Sequence, residues 1–165
     1  MNIYLWRRTD LVLLLLTGLI AVAGCAGYVP GRQAYWGAQV KEMCAKDGGV
    51  QIFEKLHISK SDITLLDRID NRIAIPSKRS ANPRAPAYSD LYITYLRKEV
   101  NPQVWRAESV IKRRSDEVVI ARWVVYTRVG GDFPSHAHES HFTCPELRTI
   151  TSDLQRLFII DGESQ

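Results

Sequence analysis

The chain has 165 residues, 45% hydrophobic and 24% charged, which suits one folded domain and excludes a wholly disordered chain. Its net charge is +4, from 22 basic and 18 acidic residues, too slight for the concentrated positive face of a nucleic-acid binder. No nucleic-acid partner is therefore expected, and weak attraction to anionic lipid headgroups is the more economical reading.

The N-terminus is organised as an export signal. Arg7-Arg8 precede Leu11–Ala23 (LVLLLLTGLIAVA), an apolar stretch, and Ala23-Gly24 end it just before Cys25. A positive start, an apolar middle and a small-residue end are the layout of a secretory signal. The apolar part partitions into the membrane, the arginines stay on the cytoplasmic side, and small side chains fit the peptidase cleft.

Val22-Ala23-Gly24-Cys25 resembles the lipobox of bacterial lipoproteins, with an aliphatic residue, a small one, glycine and then cysteine. The resemblance implies that the Cys25 thiol carries a diacylglycerol with palmitate-type chains and that a dedicated peptidase removes residues 1–24. Loss of Arg7, Arg8 and Asp10 would leave a net charge of +3. Ala26, where an Asp would favour inner-membrane retention, resembles the class sorted to the outer membrane. The implied product is a periplasm-facing domain whose first partner is the bilayer, held through Cys25. Two alternatives stay open. Leu11–Val29 is 19 residues without a charge, long enough to span a membrane as an uncleaved anchor, with Arg7-Arg8 setting the same orientation. Cleavage without lipidation is the other. All three put the domain outside the cytoplasm.

The cysteine count points the same way. If Cys25 is consumed as a thioether, Cys44 and Cys144 remain in an oxidising compartment and are expected to pair as a disulfide. Two buried free thiols are the alternative.

After the signal, residues 25–31 form the lipidated cysteine and a short linker, and 32–165 form a single domain. Ala26–Gly31 (AGYVPG) would reach at most ~20 Å when extended, which keeps the domain near the membrane. Arg32–Lys46 reads as a helix, since Trp36, Val40, Met43 and Cys44 share one face and Asp47-Gly48-Gly49 ends it. Val50–Ile58 reads as one strand with Val50, Ile52, Leu56 and Ile58 on one face. Ser59–Asp67 accommodates a short helical turn. Pro76–Pro86 (PSKRSANPRAP), with three prolines and three basic residues, reads as a long exposed loop. It is either a solvated connector or a basic contact for headgroups or an acidic partner.

Three strands follow, Leu91–Leu96, Val104–Lys112 and Val118–Val129, with turns at Asn101-Pro102 and Arg113–Asp116. Short connections make them an antiparallel meander. Trp105, Ala107, Ser109 and Ile111 share a face, as do Val119, Ala121, Trp123, Val125 and Val129. Trp105 and Trp123 are expected beneath a helix. Thr143-Cys144-Pro145-Glu146 has capping-box spacing, and Leu147, Ile150, Leu154 and Leu157 continue a helical stripe. Phe158–Ile160 reads as a short edge strand. The expected class is α+β: a small antiparallel sheet, made of a three-strand meander plus an earlier strand, with an N-terminal and a C-terminal helix packed on one face. Cys44 ahead of Asp47-Gly48-Gly49 and the late Cys144-Pro145 also loosely resemble small proteobacterial lipoproteins of unknown function, a resemblance that implies no activity.

Three of the four histidines fall in Ser135-His136-Ala137-His138-Glu139-Ser140-His141. Imidazoles beside a carboxylate suit zinc or another transition metal, so His136, His138 and His141 are the candidate metal ligands. Otherwise the segment is a polar loop. His138-Glu139-Ser140-His141 is one residue short of the metalloprotease helix pattern. Nucleophile-elbow, phosphate-loop and dinucleotide fingerprints are missing from the sequence, and no catalytic residue is assigned. The leading expectation is a non-enzymatic envelope lipoprotein that binds an envelope protein partner or supports an assembly. The alternatives are a metal-handling lipoprotein and a small periplasmic hydrolase whose site is assembled from distant residues.

Overall fold

A computed structural model describes residues 3–99, 101–131 and 140–162, with the side chains of 12–20 and of the described residues from 31 onward. In chain order the elements are α1 (Ile3–Asp47), β1 (Gly49–Ile52), β2 (Leu56–Ile58), α2 (Lys60–Ile63), β3 (Asp67–Ile69) and β4 (Arg72–Ala74). There follow β5 (Ala87–Arg97), β6 (Gln103–Arg113), β7 (Val119–Val129), β8 (His141–Cys144), α3 (Leu147–Leu154) and β9 (Phe158–Ile160).

The meander is the centre of the fold. Strands β5, β6 and β7 are each 11 residues long and pair antiparallel in sequence. Beyond β7 the next position in the sheet is divided between two short strands. β1 pairs with residues 121–124 of β7 and β8 with residues 126–129, both antiparallel. Gly49 lies opposite Val124 and Cys144 opposite Tyr126, so the start of β1 and the end of β8 meet along the same edge. The disulfide between Cys44 and Cys144, with Cα atoms 5.9 Å apart, closes this junction.

The two helices pack on opposite faces of the sheet, which corrects the expectation of one shared face. Val40 and Cys44 of α1 bury against Val104, Val124 and Tyr126, with Trp36 and Met43 beside them. Ile150 of α3 buries against Ala107 and Val125 on the other side, with Val50, Trp105, Trp123 and Leu154 around it. Strand alternation explains the difference. Val124 and Val125 are neighbours in β7, so their side chains leave opposite faces, and both are buried. The expected apolar face of Trp105, Ala107, Ser109 and Ile111 belongs to α3. The second face became apolar only at the ends nearest α1.

The class is α+β, with the N- and C-terminal helices on a small antiparallel sheet. Several boundaries move. Helix α1 includes residues 26–31, where a linker was expected. Six helical residues advance ~9 Å, less than half their extended reach. Val12–Leu16, Leu19 and Ile20 of α1 are exposed apolar residues outside the buried clusters. Among the described residues, no helix is long and apolar enough to cross a membrane.

The single strand expected over Val50–Ile58 is two strands in different sheets. The backbone N–H groups of Phe53 and Glu54 both donate to the Ile120 carbonyl, at 2.9 and 3.1 Å, and the chain turns away there. β2 then pairs parallel with β9. The short helical turn after Ser59 is α2, capped reciprocally by Ser59 and Asp62. The hairpin β3–β4 was not anticipated. Asp70 and Asn71 turn it at φ 49° and 61°, the left-handed pair a two-residue hairpin requires. The capping box at Thr143 is not formed: β8 takes Thr143 and Cys144 into the sheet, where the Thr143 hydroxyl lies 3.1 Å from that of Thr127. Glu146 holds the N-cap position of α3 without a side-chain hydrogen bond.

The end of α1 is pinned by charge. The Tyr126 hydroxyl donates to Asp47 at 2.7 Å, Arg106 lies 3.1 Å from the same carboxylate, and Arg106 also reaches Glu108 at 2.6 Å. Burial alone would raise the Asp47 pKa, but the hydrogen bonds from Tyr126 and Arg106 and the nearby positive charges outweigh it and hold the carboxyl below its usual range. Glycine is obligatory just beyond. A Cβ on Gly48 would lie 2.6 Å from the Cys44 carbonyl oxygen and 2.9 Å from its sulfur.

The disulfide closes a separation of 100 residues, for which the chain-entropy ceiling is ~4.7 kcal/mol, so replacing Cys44 and Cys144 together by Ser should cost about 2–4 kcal/mol in urea unfolding. Gly48→Ala, with the bridge intact, should cost about 1–3 kcal/mol through overpacking. Because the folded pKa of Asp47 is depressed, its contribution is fully present above the unfolded value near ~3.9 and is lost as pH falls through the folded one. Melting temperature should therefore fall with acidification below about pH 4, and less steeply in Asp47→Asn.

Candidate docking edge and apolar cavity

Strand β5 reads Ala-Tyr-Ser-Asp-Leu-Tyr-Ile-Thr-Tyr-Leu-Arg, rich in the aromatic and branched residues that favour extended backbone. Its two halves have different surroundings. Ala87 and Tyr88 are fully buried, whereas Leu91 is 55% exposed, Tyr92 and Ile93 52%, Tyr95 48% and Leu96 42%. The cause is the placement of the helices. α1 packs on β7 and β8, and α3 packs on β1 and β4, so neither covers the outer half of β5.

The exposed half is also an open edge. The Ser89 N–H donates to the Pro76 carbonyl and the Lys78 N–H donates to the Ser89 carbonyl, both at 2.9 Å, so the polar groups of Ser89 point away from β6. Alternation directs the N–H and C=O groups of Leu91, Ile93 and Tyr95 outward as well. There the Pro76–Ser77 segment no longer accompanies the strand, since the bridge from Ser77 reaches only Ser89. Five exposed apolar side chains thus flank a row of available backbone donors and acceptors. Such an edge is a template for another strand.

Both ends of the edge are basic. Exposed Lys78 and Arg79 stand beside its start, in a basin they share with Asp90, Leu91 and Tyr92. The expected exposed loop at Pro76–Pro86 is therefore held against β5, and Pro76 and Ala85 within it are buried. Tyr88 anchors the region, with the Lys78 amine 5.1 Å and the Arg114 guanidinium 5.0 Å from its ring. Asp90 does not offset this charge, because Lys112 neutralises it at 3.2 Å. Exposed Lys98 marks the far end, next to Arg97, which pairs with Glu99 at 2.5 Å and covers the Trp36 ring at 5.4 Å.

On the α3 face lies a partly open apolar cavity of about 280 Å³. Ser109, Ile111 and Trp123 line it from the sheet, Ile69 and Ile73 from the hairpin, and Leu147, Ile150 and Leu154 from α3. Carboxylates, imidazoles and thiols are missing from this lining. Ile69 and Leu147, both more than half exposed, form its apolar rim. Beside it, between the hairpin and α3, lies a polar depression lined by Asp70, Arg72, Arg148, Thr149 and Ser152.

The residues singled out from sequence fall as follows. Cys44 and Cys144 are joined. The side chain of Cys25 lies outside the described set, as do His136 and His138. His141 begins β8 opposite Val129 and is exposed. Among the described residues there is no group of three His, Cys, Asp or Glu that could hold a metal ion. Sequence reasoning recognised the β5 run as a strand and missed that its outer half is uncovered. It also missed the cavity, one of whose walls comes from the unanticipated hairpin.

No protein-family model, curated protein or solved structure matches the chain.

The cavity wall gives a check on the packing. Trp123→Ala should destabilise the domain by about 3–5 kcal/mol, the range for a large aromatic truncated in a core. Ile93→Ala, on the uncovered edge, should change stability by less than about 0.5 kcal/mol. Equal losses in denaturant unfolding would contradict the assignment of Ile93 as uncovered.

Proposed function

We propose that this chain is an exported lipoprotein, tethered through acyl chains on Cys25, whose domain docks an extended segment of an envelope partner along β5. The lipobox and the exposed apolar run of α1 support the tether. The open apolar edge at Leu91–Leu96 carries the docking role.

The occupant favoured by the edge is a strand with an apolar centre and acidic flanks. Its backbone would satisfy the outward groups of Leu91, Ile93 and Tyr95, and its flanks would meet Lys78 and Arg79 at one end and Lys98 at the other. A second copy fits less well. Two antiparallel β5 strands would bring the Lys98 end of each toward the Lys78–Arg79 end of the other, like charge against like. A bilayer also fits less well, since hydrocarbon offers no partner to the outward N–H and C=O groups.

In the native membrane, a photoreactive residue at Tyr92 should form one discrete protein adduct whose crosslinked peptide is apolar with acidic flanks. The same residue placed at exposed Ile159 should not. Ile93→Pro should abolish the adduct while leaving the fold intact, because the N–H it removes points away from β6. Adducts confined to lipid or to a second copy, or insensitive to Ile93→Pro, would refute docking by strand addition. Cys25→Ala should eliminate palmitate incorporation, and labelling that survives the substitution would refute the tether.

A further inference from the structure

We infer that the cavity between β3–β4, α3 and the sheet is a binding site for a single-chain amphiphile with an anionic head. The inference does not depend on the docking edge, from which the cavity takes only Ser89 in its lining.

Size and lining define the tail. The cavity of about 280 Å³ is walled by Ile111, Trp123, Ile150 and Leu154, which favour hydrocarbon over water. An apolar cavity of about 150 Å³ holds one benzene, so this one has room for a longer hydrocarbon chain. A straight chain of medium length fits, whereas two chains do not.

The rim defines the head. The hairpin and α3, which supply two walls of the cavity, also supply Arg72 and Arg148 to the adjoining depression. Asp70 is the one carboxylate in that depression, so the local balance is positive. Thr149 and Ser152 add hydroxyl donors. An anionic head beside a hydrocarbon slot is what this pairing accommodates: a carboxylate or phosphate outside, facing Arg72 and Arg148, with its chain inside against Trp123. The head and tail positions are set by the same two elements, since the hairpin and α3 each contribute residues to both the cavity and the depression.

The backbone of the site is held by hydrogen bonds within the chain. The Gln155 side chain donates to the Ile73 carbonyl at 2.9 Å and accepts from the Ile73 N–H at 3.2 Å, which ties the hairpin to the C-terminal segment.

The test uses the full chain in phosphatidylcholine nanodiscs and a diazirine-bearing decanoate as photolabel. Labelling should map to residues 69–75 and 147–154. Decanoate should compete, and each methylene removed from the competitor should weaken it about fourfold. Arg72→Gln and Arg148→Gln should each weaken decanoate by up to about fivefold and leave decanol unchanged. Thr151→Trp, which places an indole in the cavity, should eliminate labelling. Arg148→Gln lies on the surface and keeps the test decisive should Thr151→Trp fail to fold. Competition by decanoate but not by lysophosphatidylglycerol would identify a free acid as the source, and the reverse would identify a membrane lipid. Labelling spread along the chain, or indifferent to both Thr151→Trp and Arg148→Gln, would overturn the assignment.

Discussion

Strand β7 has one edge beyond β6, and two strands from distant parts of the chain must share it. β1 follows α1, and β8 precedes α3. Gly49 and Cys144, their facing ends, lie opposite β7 residues two positions apart, and the bond from Cys44 to Cys144 spans this junction. This junction fixes three things together. It sets the register of both short strands, it holds the end of α1 against one face of the sheet, and it delivers the chain to α3 on the other face. Gly48 has no room for a side chain because the helix end, the bridge and the strand start converge there. The Asp47, Arg106 and Tyr126 network reinforces the same spot from the α1 side.

A fold organised around β7 concentrates its cover there. Both helices lie over the β1, β7 and β8 side, and each can bury only the strands within reach of one helix diameter, about 10 Å. The far strand, β5, is left with apolar side chains on both faces and backbone groups at its rim. Natural edge strands are commonly blunted by proline, by inward-pointing charge or by a bulge. Between Asp90 and Tyr95 none of these devices interrupts β5, and its register shift comes only after Tyr95. The charge lies at the two ends instead. That arrangement disfavours pairing between copies and leaves the centre available to a strand of complementary ends, which is the ground on which we propose the edge for recognition.

The cavity follows from the same asymmetry on the α3 face. α3 is eight residues long and leans toward β1 and β4, so it cannot fill the space over Ser109 and Ile111. The hairpin β3–β4 roofs that space without closing it. Ser89 of β5 lines the cavity, and the edge begins beyond it, so the two are neighbours. The opposite side is taken by α1, whose Gln33 side chain hydrogen-bonds Ser140 at 3.2 Å and whose backbone crowds Gly131. The chain preceding Gln33, with Cys25 in it, thus meets the domain at the end that carries the turns of the sheet.

What the sequence determined by itself was local. The alternation of β6 and β7, the Trp36-to-Cys44 stripe and the glycine stop after Asp47 each depend on neighbours within one element, and periodicity reports such features. The pairing of Cys44 with Cys144 was the expectation that followed from the cysteine count if Cys25 carries lipid. The tertiary structure decided where elements competed for the same partner. Val50–Ile58 alternates as one strand, yet β7 pairs only with its first three residues, because β7 itself begins at Val119 and the chain turns away where the Phe53 and Glu54 N–H groups both donate to the Ile120 carbonyl. Thr143 had the spacing of a helix cap, but sheet pairing with β7 satisfied its backbone instead. The apolar residues of β5 had the pattern of a half-buried strand. Their exposure came from helix placement, which no local pattern encodes, since it depends on which strand the two helices choose to cover.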